Sequence, residues 1–235
     1  SEAMTAALMP TLTGIETVNI IETAAAAAHT GLSTWAADAT LFTIAGSIDT
    51  ELNDLAYATQ TVQLSASSGN TVLAGTGTSA TVNVNATTDG DLTVEDATTA
   101  TLTVTGASTL SDIGNGDLTT LNVAGSGALT IEAMTEGVTT LNASANTGGV
   151  TLTGVDATAT SVTGSSANDI IGTTGALDND GDSTSISGGE GTDTLVIDTD
   201  ITDASAVTSI EVLELSVDGL THDMDTITGL ESIVI

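Results

Sequence analysis

Ser187 to Ile197 reads SGGEGTDTLVI, which sets one carboxylate, Asp193, between a glycine-rich turn and a short apolar run. Gly188, Gly189 and Gly191 allow backbone conformations that a Cβ would hinder, so the segment reads as a tight turn whose carbonyls face inward. Asp193 adds a carboxylate to those carbonyls, and Ca²⁺ takes its ligands from such mixed backbone and carboxylate oxygens. A degenerate copy lies upstream, GSSANDIIG from Gly164 to Gly172, which keeps the first glycine, the aspartate (Asp169) and the apolar residue after it. Between the two copies stands DNDGD, with Asp178, Asp180 and Asp182 alternating along a turn. It lacks the downstream bidentate Glu that a helix–loop–helix calcium loop requires. The candidate metal set is therefore Asp169, Asp193, Asp178, Asp180 and Asp182, with Gly164, Ser166, Gly188, Gly189 and Gly191 supplying backbone. The competing reading is a glycine turn with solvated acids.

Gly188 to Val196 matches G-G-x-G-x-D-x-U-x at every specified position. In these residues the chain resembles the RTX repeat of calcium β-rolls. The resemblance implies Ca²⁺ held between adjacent turns, with side chains from Asp169 and Asp193 and carbonyls from 164–167 and 188–191. The Thr-, Ala-, Gly- and Val-rich remainder is similar to bacterial surface-layer proteins exported by type I secretion. That likeness implies an extracellular protein of the bacterial cell surface that self-associates into a Ca²⁺-dependent lattice or filament, with cell-surface polysaccharide as a second class of partner. The opening SEAMTAALMP has no basic leader, and it and the closing LESIVI read as cut ends of a longer chain.

These residues need a scaffold, and internal repetition supplies one. TVQL at 61, TVLA at 71, TVNV at 81 and LTV at 92 and 102 step by about ten residues, and TLNV at 120, TLNA at 140 and TLVI at 194 continue the ladder. Each alternates polar and apolar residues, as a strand does. LTTLNVAG at 118 and VTTLNASA at 138 echo at a spacing of twenty, so one coil takes about twenty residues and two strands. TGIETVNI (13–20), TSIEVLEL (208–215) and TGLESIVI (228–235) form a second related set. A sandwich of hairpins is the alternative, but two-residue hairpin turns are scarce. The fold class expected is all-β: a parallel β-solenoid with an RTX-like calcium β-roll section and a less regular N-terminal cap. The divisions are a cap over 1–60, solenoid over 61–163, β-roll over 164–200 and further coils over 201–235. Val62, Val72, Val82, Leu92 and Leu102 are expected to point into one core. A short helix is expected within 47–60, from Ser47 and the spacing of Ile48, Leu52 and Leu55. Trp35, Phe42 and Tyr57 fall in the N-terminal region and read as its capping core.

Composition narrows the function. The chain of 235 residues has no Lys, Arg or Cys and 31 Asp plus Glu, for a net charge of -31. A bare nucleic-acid site is nearly excluded without Lys or Arg to meet the phosphates, anionic membranes are disfavoured, and no apolar run reaches a membrane span. Solenoid enzymes acting on polysaccharides use Lys, Arg or aromatic platforms, and this chain has one Trp, one Tyr and one Phe. Asp223 and Asp225 flank Met224 beside His222, a carboxylate pair of the kind that hydrolyses glycosides, yet such pairs arise by chance in a chain this acidic. His222 with Asp223 is also a candidate peripheral metal pair, and His29 reads as structural. No serine elbow or H-E-x-x-H occurs. The chain is therefore read as a structural, non-enzymatic protein: a surface-layer or matrix-filament subunit first, a calcium-rigidified segment of a large RTX adhesin second, a polysaccharide-active solenoid enzyme a distant third.

Overall fold

The computed structural model describes residues 10–21, 27–88, 90–114, 117–134, 137–155, 158–173, 184–201, 206–217, 219 and 227–235. The chain forms a parallel β-solenoid in which alternate strands go to two sheets. The first sheet has ten strands: Thr17–Ile21, Leu41–Gly46, Thr61–Ser67, Ser79–Asn85, Thr99–Val104, Thr120–Gly125, Thr140–Asn146, Ser161–Thr163, Ser185–Ser187 and Val207–Thr208. The second has eleven, interleaved with them: Ala27–His29, Thr50–Ala56, Thr71–Thr76, Gly90–Glu95, Ser108–Ile113, Leu129–Met134, Val150–Val155, Ile170–Thr173, Thr194–Ile197, Val212–Leu215 and Ser232–Val234. The echo at twenty is the register itself, since Thr120 pairs with Thr140 and Leu121 with Leu141. The last echo holds too, with Val212 beside Ser232 and Leu213 beside Ile233.

Period two explains the core. In the first-sheet strands from Leu41–Gly46 to Ser185–Ser187 the second residue points inward, so Phe42, Val62, Leu121, Leu141 and Val162 are buried, as are Val82 and Leu102. In the second sheet Leu73, Leu92, Leu110, Ile131, Leu152, Ile171, Leu195 and Leu213 are buried opposite them in one continuous core. Two expectations are corrected here. Val72 is only half-buried and Leu73 takes the core position, because the second-sheet strands from Thr50–Ala56 to Val150–Val155 begin with an inward residue, as buried Thr50 and Thr71 show. A shift of one residue reverses every side chain of a strand. The helix expected within 47–60 is the strand Thr50–Ala56 followed by a turn over 57–59. Its register shifts between Leu52 and Leu55, and Asp54 there has φ 63. One extra residue in a β-bulge converts the strand spacing of two into three, which imitates a helix. Among the described residues the one α-helix is a single turn, Leu32–Trp35.

Trp35, Phe42 and Tyr57 are all buried in the core. Trp35 Nε1 donates to Thr30 O at 3.0 Å. The Tyr57 hydroxyl lies 2.9 Å from Leu73 O and 2.8 Å from Glu95 O, linking two further coils. Burial, then the Asp96 and Glu95 carboxylates, raise its pKa. His29 is buried in the strand Ala27–His29. Threonine does more than fill surface. At one corner the Thr98 hydroxyl donates to Thr78 O, Thr119 to Thr98 O, Thr139 to Thr119 O and Thr160 to Thr139 O, at 3.0–3.3 Å. Each coil is thereby tied to the one before it.

Candidate functional site

Asp169, Asp193 and Glu211 each stand one residue ahead of a second-sheet strand. Those strands pair in register, Ile170 with Thr194 and Thr194 with Val212, so the three carboxylates stack in successive coils. Glu231 follows, its N–H donating to Glu211 O at 2.7 Å. Asp169, Asp193 and Glu211 obey one rule: each carboxylate accepts the backbone N–H at the same position of the preceding coil. Val150 N–H donates to Asp169 Oδ1 at 2.6 Å, Asp169 N–H to Asp193 Oδ1 at 2.8 Å, and Asp193 N–H to Glu211 Oε2 at 2.8 Å. The coil before Asp169 carries the neutral Asn146, buried nearby, whose Oδ1 accepts from Gly148 N–H and Gly149 N–H at 2.8 and 3.0 Å.

Both aspartates of the two glycine turns face inward: Asp169 is 1% and Asp193 0% exposed. Asp169 is well supplied, since Ser165 N–H and Ser165 Oγ add donors at 2.6 and 2.8 Å to that of Val150. A carboxylate has about four lone-pair sites, so Asp169 keeps one. Asp193 is different. Among the described residues its Oδ2 is buried and has no hydrogen-bond partner, and the chain contains no Lys or Arg to neutralise it. Burial, with the Asp169 and Glu211 carboxylates adding repulsion against the lowering effect of the Asp169 N–H, pushes Asp193 up to about 6.

The glycines create the close approach around this column. Gly189 has φ 111 and Gly191 φ 125, and a Cβ on Gly189 would collide with the Ser165 carbonyl oxygen while one on Gly191 would meet Ala167 O at 2.7 Å. Gly164 and Gly188 are buried, and a Cβ on either would strike the carbonyl of the following coil. The turns also interlock, with Glu190 N–H donating to Ser165 O, Thr192 N–H to Asn168 Oδ1 and Ser166 N–H to Asn146 O, at 3.0–3.2 Å. Ser166 itself is exposed. Asp178, Asp180 and Asp182, and the pair His222 and Asp223 with Asp225, lie outside the described residues. Among the described residues no three His, Asp or Glu converge into a ready cluster for a metal. Backbone carbonyls would therefore have to supply most of the oxygens of a six-to-eight-oxygen shell. Asp193 Oδ2, an orphaned buried anion beside a glycine turn, fits that role; Asp169 fits with its remaining site.

Glu211 and Glu231 were not singled out from the sequence, although the signal was present. The echoes TSIEVLEL and TGLESIVI place a glutamate at the same point in each. Comparison with known protein families, curated proteins and solved structures finds no match to this chain.

Proposed function

We propose that this chain is a structural, calcium-binding and self-associating protein of the bacterial cell surface, a subunit of a surface layer or matrix filament. The observation that carries the calcium reading is the stack of buried Asp169 and Asp193 with half-buried Glu211, in which Asp193 Oδ2 has no partner among the described residues. Elsewhere in the paired strands, acids stand beside neutral residues. Glu51 pairs with Ala28 and Val72, Glu95 with Ala74, Asp112 with Ala133, and Glu214 with Val196 and Val234. Like charges directly opposite one another are unfavourable, so a chain that avoids them elsewhere and stacks them in one interior column makes a place for a cation from solution. The RTX-like turn at 188–196 supports Ca²⁺ as that cation. The extracellular setting and the lattice rest on the resemblance to type I-secreted surface-layer proteins.

Isothermal titration of the wild type against Asp193→Ala tests the site. The reading expects lower calcium stoichiometry or affinity in the variant, and equal values remove Asp193 as a ligand. Sedimentation in calcium and in chelator tests the assembly, which is expected to form in the first and dissolve in the second.

A further inference from the structure

The acids are distributed unevenly between the two sheets. The second sheet carries Glu51, Asp54, Asp91, Glu95, Asp112, Glu132 and Glu214 within its strands, roughly the charged fraction of the whole chain, 13%. The first sheet, ten strands of comparable total length, has no Asp, Glu or His in any strand. From 61 to 163 its outward positions are mostly hydroxyls and amides in register, while exposed Ile21 and half-buried Leu41 stand on its first two strands. One column runs Thr81, Thr101, Asn122, Asn142 and Thr163. On one side Thr99, Thr120 and Thr140 line up beside it, and on the other Gln63, Asn83 and Thr103. Nearly all of these side chains are half-buried by their neighbours in adjacent coils, which gives an even, ordered surface. Carboxylates flank the face at its rim, among them Glu16, Asp38, Asp49, Asp96 and Asp117.

We infer that the outer face of the first sheet is the surface through which two copies of this chain associate, back to back. Two chains of net charge -31 repel at every face that carries carboxylates, and neither offers a cation to the other. The uncharged face is where that repulsion is least. Thr, Ser, Asn and Gln each donate and accept hydrogen bonds, so rows of them at a common spacing complement a second copy of the same rows. A two-fold interface requires such self-complementarity. A neutral centre with a charged rim is also the usual anatomy of an interface between proteins. About eight coils at ~4.8 Å, each presenting ~16 Å of strand, give roughly 600 Å² per copy. The total of about 1,200 Å² is at the lower bound for a specific interface, so the pairing should be concentration-dependent. The inference rests on the self-association proposed above and names the surface responsible.

The test is sedimentation of the full chain over a concentration series, in calcium and in chelator, for the wild type, Asn83→Asp with Asn122→Asp, and Thr151→Asp. The first variant adds charge to the neutral face almost without changing shape, so circular dichroism should be unaltered. The control places a single added charge, against two in the first variant, outward on the second sheet, where Thr151 pairs with Thr130 and Ile170. Dimerisation is expected to weaken at least tenfold in the first variant and to stay near wild type in the control. Calcium-dependent assembly that ignores the Asn→Asp changes would overturn the interface and leave the assembly reading intact. A wild type that is monomeric at every concentration, with and without calcium, would overturn both. Unchanged dimerisation combined with loss of retention on a neutral polysaccharide matrix would reassign the face to glycan binding.

Discussion

Asp193 makes the chemistry of the site measurable one residue at a time. A carboxyl pushed up to about 6 from 3.8 keeps its proton in the folded chain over a range in which the unfolded chain has released it. Metal-free stability from this group is therefore full below about pH 4 and declines as pH rises through 6. Asp193→Asn keeps the shape, and an acceptor for Asp169 N–H, while removing the charge. In chelator the variant is expected to melt above the wild type at pH 7, with the gap closing by about pH 4. In saturating calcium the order at pH 7 should invert, since the variant lacks the anionic ligand. A gap that is constant with pH would show that Asp193 is not the titrating group. Asp169→Ala leaves the N–H of Val150, the N–H of Ser165 and the Ser165 hydroxyl without their acceptor. Unsatisfied buried donors cost about 1–3 kcal/mol each, so a loss of about 3 kcal/mol in urea unfolding is expected. The inward carboxylates were legible from the nine-residue motif, which names the aspartate and the glycines together. The hydrogen-bonding rule that joins Asp169, Asp193 and Glu211 was not, because it depends on stacking residues 24 and 18 positions apart, a spacing that only the coil length sets.

At the scale of the element, the strand and its turn are separate inventions of the sequence. Alternation specified the strands well: TVNV, LTV and TLNV bury the residues that period two selects, namely Val82, Leu102 and Leu121. It failed where a bulge interrupted it, at Asp54, because spacing alone cannot separate a strand with one added residue from a helical turn. It also failed at Val72, because the strands there start in opposite phase in the two sheets, Thr61 outward and Thr71 inward, and nothing within TVLA declares which sheet it joins. The turns carry a sharper constraint. Gly189 combines φ 111 with a Cβ position that collides with Ser165 O. Gly229 has φ 92 but open space around its Cβ position. Gly229→Ala is thus expected to cost about 1 kcal/mol of backbone strain, and Gly189→Ala distinctly more, at about 3 kcal/mol, because a coil must also shift. Parallel urea titrations compare them, and equal losses would mean that close approach of the coils contributes nothing.

At the scale of the whole molecule, the solenoid and the polyanion oppose each other. Stacking brings successive coils to ~4.8 Å, well inside the ~10 Å screening length of 0.1 M salt, so any column of carboxylates is repulsive. The chain lessens this by interleaving. Asp49 Oδ1 accepts from Asn70 N–H, and Asn70 Oδ1 from Asp91 N–H, which puts an amide between two acids on one column. Asp54 and Asp96, two coils apart, are likewise separated by the coil of Gly75. Interleaving reduces the repulsion without cancelling it, for 31 acids share the chain with no Lys or Arg. Thermal stability should therefore rise steeply from 10 to 300 mM NaCl, in contrast to a protein held by surface ion pairs, which salt weakens. Calcium at matched ionic strength separates screening from site binding. If the cation only screens, CaCl₂ and NaCl curves should nearly superimpose for wild type and Asp193→Ala alike. If it enters the interior column, the wild type should gain additional stability at calcium concentrations too low to screen, and Asp193→Ala should lose that increment while keeping the salt-dependent part. The same pair of titrations thus divides the electrostatics of this chain into what any ion can relieve along its surface and what one divalent cation can relieve at the stacked carboxylates within it.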